Sequence, residues 1–89
     1  IDCLNFWLAN IMTKIKEKEI MEYTERLFSL LKHKHIATIV VSNEVGLSLV
    51  SEHPSGRLFQ ELLGKINQIA TKHADEAYLM VSGIALNIK

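Results

Sequence analysis

The sequence contains one cysteine, Cys3, so no internal disulfide can form, and a reducing cytoplasm is the expected compartment. With a single cysteine and no His-Glu-x-x-His run, it also lacks the ligand spacing of a zinc site. Glycine occurs four times, at Gly46, Gly56, Gly64 and Gly83, and none of these builds a Gly-x-x-x-x-Gly-Lys-Ser/Thr phosphate loop. A signature for cradling a triphosphate is therefore absent. So is an excess of charge of either sign: 10 Lys and Arg balance 10 Asp and Glu, and the basic residues are dispersed. That removes the electrostatic case for nucleic acid or an anionic membrane as partner. No apolar run approaches the roughly 20 residues that a spanning helix needs. The start, Ile1-Asp2-Cys3-Leu4, has no basic region ahead of its apolar residues, so no signal peptide is expected.

What is present is one small domain's worth of chain, 89 residues, of which 48% are hydrophobic. Leu4, Trp7, Leu8, Ile11 and Ile15 recur at the spacing of one helix face, predicting a helix over residues 4–15. The charged tract 14–19 reads as a solvated connection. A second helix is expected over about residues 19–34, with Ile20, Tyr23, Leu27, Leu30 and Leu31 as its stripe. Lys32, His33 and Lys34 suit the negative end of its dipole. Residues 36–41 are a continuous apolar run rich in β-branched side chains, which reads as a strand buried on both faces. A loop follows between Gly46 and Gly56, containing Ser48, Ser51, His53, Pro54 and Ser55. A third helix is predicted over about residues 55–73, with Leu58, Phe59, Leu62, Leu63, Ile66, Ile69 and Ala70 facing the core. Residues 77–81 read as a second buried strand, Ser82-Gly83 as a turn or bulge, and residues 84–88 as a short final strand.

This order predicts an α/β fold, with a right-handed parallel crossover joining the strands at 36–41 and 77–81. Strands apolar on both faces need neighbours and helices on both sides. Ile1-Asp2 reads as the end of a further strand. The chain is therefore expected to be the C-terminal half of a single α/β domain.

Ligands in open α/β sheets bind beyond the carboxyl ends of the strands. Asp2 and Glu44 fall there. An aspartate in such a place can hold Mg²⁺ or orient a nucleotide; it can equally cap the helix that follows. In Ser42-Asn43-Glu44-Val45-Gly46, three hydrogen-bonding side chains precede a glycine that permits tight geometry; the same residue types make ordinary turns. His33, His35, His53 and His73 suit surface or capping roles, and Cys3 suits a packed thiol. Asn67-Gln68 on the third helix is either an exposed polar face or a contact to a ligand or partner.

These residues together resemble a known family. Asp2-Cys3-Leu4 with Trp7-Leu8 and Asn10 comes first, then Val41-Ser42-Asn43-Glu44-Val45-Gly46-Leu47, and then Arg57-Leu58-Phe59, Gly64 and Asn67-Gln68. Ala74-Asp75-Glu76, Val81-Ser82-Gly83 and Ile88-Lys89 complete the series. In order and spacing it resembles the C-terminal half of the bifunctional adenosylcobinamide kinase/adenosylcobinamide-phosphate guanylyltransferases. The resemblance implies a partial RecA-like P-loop fold with a mostly parallel sheet, flanking helices, a short C-terminal antiparallel strand and commonly a trimeric assembly. It implies phosphorylation of adenosylcobinamide by ATP or GTP, and transfer of GMP from GTP to the resulting phosphate through a guanylylated histidine, with Mg²⁺ neutralising phosphate charge. The phosphate loop and that histidine lie upstream in the family. None of the four histidines here matches it, so no catalytic residue is assigned.

The resemblance implies nucleotide-contacting roles for Asp2, Asn5, Asn43 and Glu44, with Asp2 also the metal candidate. Asn5 departs from a threonine common among relatives. Ser48-Leu49-Val50-Ser51 departs from Gly-Ile-Val-Pro, which makes Glu44 the firmer candidate. Two other classes compete: a non-catalytic assembly module, favoured by the missing phosphate loop, and a different P-loop nucleotidyl or phosphoryl transferase.

Overall fold

The computed structural model describes residues 1–46 and 49–89; Leu47, in the motif run, and Ser48, in the expected loop, lie outside them. Three helices precede a hairpin: α1 (Leu4–Ile11), α2 (Glu17–His33), α3 (Pro54–His73), β1 (Tyr78–Val81) and β2 (Ile84–Asn87).

Helix α1 is shorter than its apolar period predicts. It closes into a turn in which Lys14 and Ile15 both donate backbone N–H groups to Ile11 O, at 2.9 and 3.1 Å. Ile15 still packs on the core, because the turn returns it to the same side. Helix α2 begins earlier than expected. Glu17 and Glu19 occupy its first turn, where carboxylates favour the positive end of the dipole. The charged tract is thus partly helix rather than all connection. Pro54 starts α3, where its missing N–H has no helical partner to lose.

The core consists of Leu4 and Leu8 of α1, Ile20 and Phe28 of α2, and Leu62, Leu63 and Ile66 of α3. The buried row of α2 differs from the predicted stripe. Ile20, Thr24 and Phe28 face inward, four residues apart, whereas Tyr23 and Leu30 are exposed. A threonine hid this row in the sequence. In the fold Thr24 is fully buried and its hydroxyl donates to Ile20 O at 2.7 Å, which removes the penalty of burying it.

Two side-chain links show the relative direction of the helices. Lys65 Nζ lies 3.0 Å from Glu17, and His73 Nε2 lies 2.8 Å from Glu25, each pair 48 residues apart in sequence. An equal offset at two levels means that α2 and α3 run parallel. Parallel neighbours require a return connection along their length, which residues 34–53 supply.

The hydrogen bond from His73 is the main cause holding the Glu25 carboxyl below its ordinary range, with Lys72 adding to it. A carboxylate whose pKa falls on folding contributes stability above its unfolded value. That contribution is lost as the pH drops through the lowered folded pKa. Glu25→Gln is expected to melt below the wild type at neutral pH and to converge with it in acid, below 4.5. A gap in Tm that stays constant from neutral to acid pH would contradict this coupling.

Residues 36–41 do not form the doubly buried strand expected. Only Val41 makes a bridge, parallel to Asp2, and only Val40 packs against the core. Ile36 and Ile39 are 60% and 81% exposed. Nor do residues 77–81 pair with 36–41 in a parallel crossover, and the strand they form is largely exposed, with Met80 at 60%. The physical reason is coverage. Of this stretch only Val40 reaches the helix core, and the described residues supply no second layer over it. The strand pairing seen is antiparallel: β1 and β2 match Tyr78 with Asn87 through Val81 with Ile84. Ser82 and Gly83 turn the hairpin with φ of 50° and 77°. Two successive positive φ values are the type I′ pattern, which fits the right-handed twist of the strands. Lys89 anchors the hairpin by donating from Nζ to Thr71 O and Lys72 O at 2.7 and 3.1 Å, a cation on the negative end of α3.

Candidate functional site

The first strand end is legible as an edge. Ile1 N donates to Ile39 O at 2.6 Å and Val41 N donates to Ile1 O at 2.8 Å, so the two extended segments run side by side in the same direction. Their carboxyl ends then diverge. One enters α1, with Leu4 N donating to Val41 O at 2.9 Å, and the other enters Ser42-Asn43-Glu44. The bridge between Asp2 and Val41 therefore places Asp2 beside the start of this polar run. Asp2, Asn43 and Glu44 are all exposed.

The polar run is a folded turn. Ser42 Oγ donates to Asn67 Oδ1 at 2.6 Å, and Asn67 Nδ2 donates to Asn43 O at 2.9 Å. Glu44 Oε1 accepts the Gly46 N–H at 2.6 Å. A Cβ at Gly46 would approach that oxygen to 2.8 Å, so glycine lets the carboxylate close over its own backbone. Asn67, open in the sequence between a polar surface and a contact, is thus bonded to its own chain.

Gln60 has a matching task that the sequence reading missed. Its Nε2 donates to Leu49 O and its Oε1 accepts the Ser51 N–H, both at 2.9 Å. Gln60 and Asn67 stand two helical turns apart on one face of α3. The signal for this was a pair of carboxamides at seven-residue spacing beside the apolar stripe.

Between the turn and α3 lies an open groove of about 690 Å³, whose walls include Glu44, Val45, Arg57, Lys65 and Gln68. Arg57 spans its end, donating to Ser51 O and Glu52 O at 3.2 and 3.0 Å. Lys65 sits between Glu17 and Glu61, and the hydrogen bond to Glu17 is the main cause raising its pKa above the ordinary value. The groove is mixed in charge.

Asn5 is in the first turn of α1, directly after the Leu4 that donates to Val41 O, and its Oδ1 is a buried side-chain oxygen without a hydrogen-bond partner among the described residues. Of the histidines, His53 is the N-cap residue of α3, His73 is tied to Glu25, and His33 and His35 are exposed at the end of α2. Among the described residues no group of three or more His, Cys, Asp or Glu side chains is placed to hold a metal ion.

The chain is similar to the bifunctional adenosylcobalamin biosynthesis protein CobU of Salmonella typhimurium, 34% identical over 73 residues that cover 82% of this chain and 40% of the relative. The CobU protein of Escherichia coli is 33% identical over the same shares. The bifunctional adenosylcobalamin biosynthesis protein CobP of Pseudomonas aeruginosa is 26% identical across all 89 residues, covering 51% of its own length. The chain thus spans about two fifths to one half of the relatives it matches. A family model described as cobinamide kinase / cobinamide phosphate guanyltransferase matches residues 1–88, and the chain belongs to that family.

Proposed function

We propose that this chain is the C-terminal part of a cytoplasmic enzyme of cobalamin biosynthesis that phosphorylates adenosylcobinamide and transfers GMP from GTP to adenosylcobinamide phosphate. The observation that carries the reading is the meeting of two parallel chain ends, Asp2 and Ser42-Asn43-Glu44, at one edge. In this reading a RecA-like P-loop domain with a mostly parallel sheet is completed by further strands. They pair alongside residues 36–41, with further helices covering the open face, and bring the phosphate loop and the histidine that carries GMP. Subunits of the complete enzyme assemble as an oligomer, a trimer being the form the family resemblance suggests.

Each residue then has a part. Asp2 accepts a ribose hydroxyl or holds Mg²⁺. One exposed carboxylate fits that ion, which takes one or two carboxylates and fills its remaining positions with phosphate oxygens and water. Bound Mg²⁺ supplies neutralisation of phosphate charge. Asn43 and Glu44 orient the nucleotide, and the Glu44 carboxylate is held in one direction by the Gly46 N–H. Asn5 contributes through its buried, unpartnered oxygen, which suits an ordered water at the edge of the site. Positioning and electrostatics provide most of the acceleration in such transfers.

Incubating the full-length polypeptide with adenosylcobinamide, ATP and GTP is expected to give the phosphate and then the GDP-linked corrinoid. Absence of both products would overturn the reading. Residues 1–89 expressed alone are expected neither to hydrolyse GTP nor to take a covalent label from it. Labelling of the isolated chain by radioactive GTP would show that the histidine is within these residues after all.

A further inference from the structure

We infer that Asn67 is a positioning residue for the nucleotide site: a carboxamide on α3 that sets where the Glu44 carboxylate stands. The inference rests on the function proposed above and adds a residue whose role there is indirect.

Strand ends in a sheet are placed by their ladders. Here residues 36–40 belong to no strand, and the single bridge at Val41 stops before Ser42. From Ser42 onward the chain is placed from the helix side instead. Asn67 follows Ile66 directly, and Ile66 is fully buried in the three-helix core, so the backbone that carries the carboxamide is anchored. Both ends of that carboxamide are used on adjacent residues, Ser42 and Asn43.

The hydrogen-bonding chemistry allows only one orientation. The Asn43 carbonyl can only accept, so the Asn67 NH₂ must face it. The Asn67 oxygen then faces Ser42, whose hydroxyl can turn to donate. The two bonds together clamp the Ser42 side chain and the carbonyl of the 43–44 peptide, which leads directly into Glu44. Gln60 makes the same kind of clamp at Leu49 and Ser51, so both ends of the connection over the groove are tied to one helix face. Asparagine is specific in this place. Aspartate keeps the size but offers the Asn43 carbonyl an oxygen in place of a donor, which turns attraction into repulsion.

The test uses the full-length polypeptide and steady-state guanylyl transfer with varied GTP. Glu44→Gln, Asn67→Asp, Ser42→Ala and the two doubles with Glu44→Gln are compared, with Tm recorded for each. Asn67→Asp is expected to lower kcat roughly 10–100-fold, the cost of a reacting group misplaced by about an ångström, with little change in the KM for GTP. Ser42→Ala removes one of the two bonds and is expected to lose less. Each double should be no slower than Glu44→Gln alone, because Asn67 and Ser42 act through Glu44. Multiplying losses in the doubles, or wild-type kcat in folded Asn67→Asp, would overturn the inference while leaving the proposed function in place. Unchanged kinetics in Glu44→Gln would overturn the site reading and the inference with it. If Asn67→Asp does not fold, the Ser42→Ala cycle carries the same decision, since that hydroxyl is outside the core.

Discussion

Asp2→Ala in the full-length polypeptide is expected to lower kcat/KM for guanylyl transfer by roughly 100-fold, the scale at which a positioned charged group contributes to such a step. The expectation follows from placement. Asp2 is exposed, bridged through its backbone to Val41, and next to the turn that Asn67 clamps. Its carboxylate makes no contribution to the helix core, so Tm should stay at the wild-type value while activity falls. Asp2→Asn separates the two roles proposed. An amide can still accept a ribose hydroxyl but is a poor ligand for Mg²⁺, so a near-wild-type Asp2→Asn favours the ribose and a loss equal to Asp2→Ala favours the metal. Unchanged kinetics in both half-reactions for Asp2→Ala would remove Asp2 from the site.

Leu63→Ala is the substitution expected to cost most stability, about 3 kcal/mol by thermal or denaturant unfolding of the same polypeptide. Leu63 has no exposed surface and belongs to the cluster that joins α1, α2 and α3. Removing its side chain leaves a cavity where three helices meet, which no single helix can close by moving. Leu58→Ala is the control. Leu58 is on the same helix but 40% exposed, and about 1 kcal/mol or less is expected there. Equal losses at the two positions would mean that the α3 face is assigned wrongly.

Helix α3 was legible because its apolar residues recur without interruption, although the sequence reading left Pro54, its first residue, in the preceding loop. Helix α2 was legible as a helix but not in its facing. Periodicity alone offers two rows beginning at Ile20; in the richer one Tyr23 and Leu30 are exposed, and Leu31 packs against the core. Thr24 made the true row look polar, and only its bond to Ile20 O, which requires the helix to exist first, makes it a core residue. The extended stretch at 36–41 was legible as apolar but not as unpaired. Sheet partners come from elsewhere in the chain or beyond it, and composition carries no record of which are at hand.

For the candidate site, residue chemistry nominated Asp2 and Ser42-Asn43-Glu44 as polar groups directly after apolar runs, though the same residue types also make turns and caps. It did not reveal that Gln60 and Asn67 tie that connection down. Those contacts join residues from 9 to 25 positions apart, across a helix whose rotation had to be known first.

The sequence by itself therefore determined three helices, a C-terminal hairpin turned at Ser82-Gly83, and the polar run at the end of residues 36–41. These are local matters of period, turn conformation and charge. Only the tertiary structure decided which α2 row is buried, that α2 and α3 run parallel, and that Asn67 reaches back to Ser42 and Asn43. Each of those depends on two segments meeting, and the energy that selects the meeting comes from burying Leu63 and Ile66 against α1 and α2, a term that no single segment contains.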